Sequence, residues 1–151
     1  MDIRSNGNYP SNILSNFAPH SFVIDGVECN SLEGWLQSLK FKSIEMQIDV
    51  CKLVGLDAKT RGSHKKWYTK QVLYWQGEEI NRDSIEYQKL LDRAYTACYK
   101  HSKSFRKALA ASIGATLTHS IGNDKKNETI LTIYEFCSRL KILRDYGEII
   151  R

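Results

Sequence analysis

From Ser31 to Phe41 two stripes run along the chain. Leu32, Trp35, Leu36 and Leu39 recur at i, i+3, i+4 and i+7, the period of a helix that buries one face. Glu33, Gln37 and Lys40 fall beside them at i, i+4 and i+7. The pattern predicts a helix holding a carboxylate, an amide and an amine on one rigid surface at the core boundary. Partial loss of solvent there moves carboxylate and amine pKa values toward neutrality. The same spacing also suits a plain solvated Glu/Lys face.

Around this helix the pattern predicts a small set of elements. Asn6 to His20 is rich in Asn, Ser and Pro and reads as irregular. Ser21–Ile24 and Val27–Cys29 flank Asp25-Gly26, a strong hairpin signal, and Asn30 or Ser31 is placed to cap the helix that follows. A second helix is expected over Ile44–Val54 with Gly55 as C-cap, and a short one over Asp57–Arg61 ended by Gly62. Lys70–Trp75 suits either helix or strand. Asp83–His101 reads as a long amphipathic helix burying Ile85, Leu90, Leu91, Ala94, Tyr95 and Cys98. Lys103–Ala111 is another, with Phe105, Ala108 and Leu109 inward. A short strand is expected over Ala115–His119, then a final helix over Asn127–Leu143 carrying Ile130, Leu131, Ile133, Tyr134, Phe136, Cys137 and Leu140. The class is α+β, mostly α-helical with a small N-terminal β-sheet, in a single domain over residues 1–151.

Composition narrows the function classes. Apolar residues make up 42% and charged residues 26% of the chain, ordinary for a globular domain. The net charge of +5 and pI of about 9.0 suit a polyanionic ligand such as a nucleotide or nucleic acid. No apolar run approaches the ~20 residues of a membrane span, and the polar N-terminus lacks a signal-peptide core. Cys29, Cys51, Cys98 and Cys137 include no CxxC and read as small buried thiols, which suits a cytoplasmic location. His20, His64, His101 and His119 show no paired ligand spacing. No metal and no cofactor are expected.

Four constellations carry candidate chemistry. Glu33 can move a proton or stabilise an oxocarbenium-like centre, and a desolvated Lys40 can attack the C1 carbonyl of an opened sugar to form a Schiff base. Lys59, Arg61, His64, Lys65 and Lys66 are interleaved with Trp67 and Tyr68, a pattern suited to phosphate contacts and base stacking, and Gly62 permits close backbone approach. An exposed cationic loop with two aromatics tucked inward has the same pattern. Gly122 to Asn127 is either a turn with Asn127 as N-cap, or a place where Asp124 and helix amides meet a ligand. Trp75 is either core or a stacking wall. Walker A, GxGxxG and GxSxG motifs are absent from the sequence.

Together these residues resemble the NADAR family of riboflavin-pathway N-glycosidase-like proteins, from about Leu14 to Leu143. Leu14-Ser15-Asn16-Phe17 is similar to the family's FSNF motif, and Glu33, Gln37, Lys40 and Phe41 fall at family positions six residues after Asp25-Gly26. Ala58 to Gly62, Trp75, Asn123-Asp124 and Asn127 follow in the family's order. The resemblance implies N-glycosidic hydrolysis on nucleotide-like substrates. One branch acts on ribosylamino intermediates of riboflavin synthesis, and another removes ADP-ribose from guanine in DNA through a lysine Schiff base. By position the lysine is Lys40, its acid/base partner Glu33, and Asp124 and Trp75 complete the pocket. Asn16, Phe17, Gln37, Lys59, Arg61, Gly62, Asn123 and Asn127 are the expected substrate contacts, with Lys125 and Lys126 as further phosphate partners.

Three departures from the family shape the expectation. Gly34 stands where the family has His, which is expected to open space beside Glu33. Lys125 and Lys126 replace a glycine-rich stretch, and Thr129-Ile130 replaces its LG. The shortened loop is expected to suit a bulky polymer. The resulting expectation is removal of ADP-ribose from modified guanine in DNA, single-stranded or locally opened, in the manner of a viral antagonist of a host toxin. The same chemistry on small ribosylamino nucleotides, or an inactive ADP-ribose or nucleic-acid binding module, stay open. Membrane association is not expected, and the sequence leaves the oligomeric state open.

Overall fold

A computed structural model describes residues 1–150. It is α+β, with seven α-helices and two separate two-stranded antiparallel sheets. In chain order these are α1 (Ser11–Leu14), β1 (Phe22–Ile24), β2 (Val27–Cys29), α2 (Leu32–Ser38), α3 (Ile44–Cys51), α4 (Gly55–Gly62), β3 (Val72–Trp75), β4 (Glu78–Asn81), α5 (Ile85–His101), α6 (Lys103–Ala111) and α7 (Ile133–Tyr146). A 3-10 turn spans Trp67–Thr69. No helix among the described residues is long and apolar enough to cross a membrane.

The expected stripe on α2 is the centre of the core. Leu32, Trp35, Leu36 and Leu39 are all buried. Ser31 caps the helix by accepting from the Gly34 N–H, as the sequence anticipates. α5 packs against α2 and presents Tyr87, Leu90, Leu91, Ala94, Tyr95 and Cys98 to the same core, whereas Ile85 is exposed. The expected hairpin forms at Asp25-Gly26, where both residues take positive φ. Cys29, Cys51 and Cys98 are buried thiols, Cys137 is half-buried, and all four are unpaired.

Several boundaries differ from the expectation, each for a local reason. Gly55 does not end α3. Lys52 does, and Gly55, at φ +57°, turns the chain into α4. Lys70–Trp75 resolves as strand β3, paired with a strand β4 whose Glu-Glu-Ile-Asn sequence carries no apolar alternation. The sheet is therefore not confined to the N-terminal side. Ala115–His119 forms no strand beyond a single parallel bridge between Thr118 and Asp2. The last helix begins at Ile133, not Asn127. Thr132 and Glu135 form a reciprocal capping box there, which the Asn127 reading overlooked. Tyr134, one of the residues expected on that helix, is exposed.

One buried polar cluster joins the C-terminal half. Arg82 is fully buried and binds Glu135 through two hydrogen bonds of 3.0 and 2.6 Å. Its Nε donates to the Thr129 carbonyl at 2.9 Å, and its guanidinium lies 4.8 Å from the Tyr87 ring centroid. Gln88 also donates to Glu135, and Arg139 bridges Gln88, Asp92 and the Glu135 carbonyl. Burial works to raise the Glu135 carboxyl. The hydrogen bonds from Arg82, the Thr132 N–H and Gln88 outweigh it and hold the pKa below the ordinary 4.5.

Glu135→Ala strands a buried guanidinium, and a loss of about 3–5 kcal/mol is expected in urea unfolding at neutral pH. Because the folded pKa of Glu135 lies below its unfolded value, its contribution is complete above pH 4.5 and fades as pH falls from there through the folded pKa. The acid limb of wild-type stability should therefore flatten in Glu135→Ala.

Candidate functional site

α2 ends one residue before Leu39, and its polar stripe faces a cavity of about 410 Å³. α2 supplies Glu33 and Gln37, and Lys40 follows just past its end. Asn16 and Phe17, after α1, form a second side, and Lys59 of α4 and Trp67 of the 3-10 turn a third. The segment between α6 and α7 closes the fourth with His119, Asn123, Glu128 and Thr129.

Each floor residue is fixed by its neighbours. The Glu33 N–H donates to the Asn16 carbonyl at 3.0 Å, and the Asn16 side chain accepts from the Tyr95 hydroxyl at 2.8 Å. Asn16 thus ties the N-terminal segment to α2 and α5. Gln37 Nε2 donates to Glu33 Oε2 at 2.7 Å, one helical turn away. Gln37 Oε1 is buried without a protein partner and faces Gly62, where a Cβ would collide with it. Lys40 Nζ donates to the Gly62 carbonyl at 3.4 Å. Glu33 and Lys40 are not ion-paired to each other.

The electrostatics follow from this geometry. Burial raises the Glu33 carboxyl above its ordinary range. The Gln37 hydrogen bond and the charges of Lys40, Lys59 and His119 offset the rise only in part. Burial lowers the Lys40 amine, Glu33 opposes that shift and Lys59 adds to it. A carboxyl and an amine are thereby moved toward neutrality at one cavity, the arrangement suited to proton transfer beside a nucleophilic amine.

The structure brings together Asn16, Phe17, Glu33, Gln37, Lys40, Lys59 and Asn123. It does not bring Asp124, Arg61, Gly62, Trp75 or Asn127 to the cavity wall. Asp124 is exposed, and its carboxylate accepts from the Tyr134 N–H in the first turn of α7, so it acts as a cap. Trp75 is core: it packs edge-on against Trp35 with centroids 6.0 Å apart and donates to Asp25. Arg61 reaches Met46 and lies 6.0 Å from the Phe41 ring centroid. Gly62 sits behind the floor, against Gln37 and Lys40. Asn127 presents its carbonyl to Gln71, away from the cavity.

Gly34 also differs from the expectation. Its missing Cβ would run into the Leu53 carbonyl and lie 3.0 Å from that of Val50. The position points into the α2–α3 contact, so the glycine opens no space beside Glu33. Trp67, read from the sequence as a stacking aromatic of the basic segment, lines the cavity, and so do His119 and Glu128, which sequence reasoning did not assign to a site. The sequence pattern predicts His119 at the end of a short strand and Glu128 at the start of the last helix; both lie instead in the loop between α6 and α7, and tertiary packing brings them to the cavity.

Comparison with known proteins places this geometry. Residues 8–145 match the family described as bacteriophage protein GP30.3. The chain is 42% identical over 147 residues to the 17.1 kDa protein of the Gp30–rIII intergenic region of enterobacteria phage T4, covering 96% of this chain and 97% of that one. Its fold is similar to the NMR structure of the Escherichia coli protein YbiA, with a TM-score of 0.61 and 17% identity, over 96% of this chain and 82% of that one.

Gly34→Ala should lower stability by about 1–3 kcal/mol, because the added methyl forces α2 away from the α3 carbonyls. Urea unfolding measures this, and a near-zero change would show that the helix contact yields freely.

Proposed function

The chain belongs to the bacteriophage GP30.3 family and has the NADAR-type fold of YbiA, and we propose that it hydrolyses the N-glycosidic bond joining ADP-ribose to a modified guanine in DNA. At the general level the fold suggests an N-glycosidase-type hydrolase. The observation that carries the finer reading is the pairing of Glu33 and Lys40 on one cavity, with burial displacing their pKa values in opposite directions. Membership of a phage family suits a role in countering a host toxin.

In this reading neutral Glu33 gives its proton to the ribose ring oxygen as the C1–O bond opens. The neutral amine of Lys40 then adds to C1. A proton passes from that nitrogen to the guanine nitrogen, and the C1–N bond to guanine breaks as the C1–Nζ imine forms. Water adds to C1, the C1–Nζ bond breaks to release Lys40 as a neutral amine, the surplus proton returns to the Glu33 carboxylate, and ADP-ribose leaves with an aldehyde carbon that recloses to the sugar.

The surroundings suit a nucleic acid. Between Ala58 and Gly77 lie Lys59, Arg61, Lys65, Lys66 and Lys70 and no carboxylate, five positive charges in a molecule of net charge +5. None of the five forms an ion pair among the described residues. Tyr68 is exposed beside Trp67, with ring centroids 6.3 Å apart, and Trp67 lines the cavity. Cations with an exposed aromatic at a cavity mouth suit phosphates and a stacked base. A second reading, the same chemistry on a free ribosylamino nucleotide, is favoured by the cavity volume of about 410 Å³, which is within the small-ligand range.

An oligonucleotide carrying ADP-ribosylated guanine should be restored to its unmodified size by the wild type. Lys40→Ala should abolish both turnover and borohydride trapping, and Glu33→Gln should slow turnover by about 10²–10⁴-fold. Full activity in Lys40→Ala would remove the imine. Binding to the oligonucleotide should weaken steeply between 50 and 200 mM salt, on the order of tenfold or more. Activity on a free nucleotide with little salt dependence would instead select the second reading.

A further inference from the structure

We propose that His119 is a second acid/base of this site, taking the proton from the water that cleaves the imine; this rests on the Lys40 Schiff-base reading above. His119 stands on the wall built by the segment between α6 and α7, a different wall from the one that carries Glu33 and Lys40.

Three contacts fix its ring. Nδ1 lies 2.8 Å from the Ile3 carbonyl oxygen. A carbonyl only accepts, so Nδ1 carries the hydrogen and the neutral ring has its lone pair on Nε2. The ring stands edge-on to Phe136 at 5.1 Å and 78°. Gly122 closes on its other edge, where a Cβ would lie only 2.7 Å from Cδ2. Phe136 and Gly122 also line the cavity. Nε2 makes no protein hydrogen bond and is not a buried orphan among the described residues, and His119 lines the cavity. A backbone carbonyl that sets the tautomer and leaves the second nitrogen open is the arrangement of a working imidazole base.

The chemistry calls for such a group. Glu33 is held by Gln37 on the same helical face as Lys40 and serves the ring oxygen. Attack on the imine carbon needs a base elsewhere about C1. Water forms the C1–O bond as its proton passes to His119 Nε2. The imidazolium returns that proton to the Lys40 nitrogen, the C1–Nζ bond breaks, and the proton on the new carbonyl oxygen passes to the Glu33 carboxylate, restoring the acid that opened the ring. Lys40 is restored as a neutral amine and His119 as a neutral imidazole. The charged and titratable groups around the ring are Glu33, Lys40, Lys59 and Glu128 about the cavity, with Asp2 and Arg4 on the N-terminal segment packed against it.

His119→Asn tests this, since its amide N–H can replace Nδ1 toward Ile3 while Nε2 is lost. Multiple-turnover release of ADP-ribose should fall by about 10²–10⁴-fold. The borohydride-trapped Lys40 adduct should meanwhile accumulate above the wild-type level, because imine forms and is not hydrolysed. His119→Gln, which also lacks a base at Nε2, should behave alike and stands in if the first variant does not fold. Turnover within about threefold of wild type in a folded variant, or a loss without adduct accumulation, overturns the role of His119 alone. A wild type that forms no trappable adduct overturns it together with the Schiff-base reading.

Discussion

The buried Arg82–Glu135 pair is the constraint on which the cavity depends. A guanidinium with no exposure to water must find partners for its N–H groups, and it finds them on α7 and on the loop before it. Glu135 belongs to the first turn of α7 and the Thr129 carbonyl to the loop before it. The Arg82 backbone N–H donates to the Gln71 carbonyl, which anchors the end of the second hairpin. Thr129, Ile130 and Leu131 line the cavity, so its wall is set by hydrogen bonding at some distance from any chemistry. Tyr87, inside α5, adds a bond from its hydroxyl to the Ile130 carbonyl. The loop has no regular structure of its own, and this network gives it a single shape.

The opposite wall is set by close packing instead. α2 lies against α3 at Gly34 and against α4 at Gly62, where a methyl would meet backbone carbonyls or the Gln37 amide. Close approach of α4 carries the Gly62 carbonyl to Lys40 and leaves Gln37 a single orientation, with its amide nitrogen toward Glu33. The close approach of α3 and α4 at Gly34 and Gly62 thus helps to hold Glu33 and Lys40 away from solvent. Burial of two ionisable groups that do not pair with each other works against stability. A fold tolerates this where the rest of the core is well packed, as around Trp35, Leu36 and Leu39.

What was legible in the sequence was what local pattern encodes. The α2 stripe, the Asp25-Gly26 hairpin and the inward faces of α5 and α6 each rest on spacing within one element, and each appears in the fold. The adjacency of Glu33, Gln37 and Lys40 was legible for the same reason. Strand β4 was not, because a hairpin with Glu78 and Glu79 exposed has no apolar alternation to read. Nor was the start of α7. Asn127 is a good cap by residue type, but Thr132 is the residue whose partner Glu135 is also bound by buried Arg82. A capping preference of about 1 kcal/mol cannot compete with a buried ion pair. Asp124 and Trp75 show the same limit. Their residue types suit a site, while long-range contacts with Tyr134 and with Trp35 and Asp25 commit them to structure.

Two walls fixed by different physics have a consequence for how such a site evolves. The α2 wall is constrained by steric fit at glycines, so substitutions there disturb the helix before they alter the chemistry. The loop wall is held by carbonyls and by one carboxylate from outside the cavity, and its side chains remain free of the network that shapes the backbone. Ile121, Asn123 and Glu128 sit on that wall, partly or largely exposed, and Asn123 bonds only its neighbours in the loop and the Ile133 N–H. Changing them alters what the cavity meets while Arg82 and Glu135 keep the loop in place. Variation in substrate within this fold is therefore physically cheapest on the wall opposite α2, and Glu33 and Lys40 can stay unchanged beneath it.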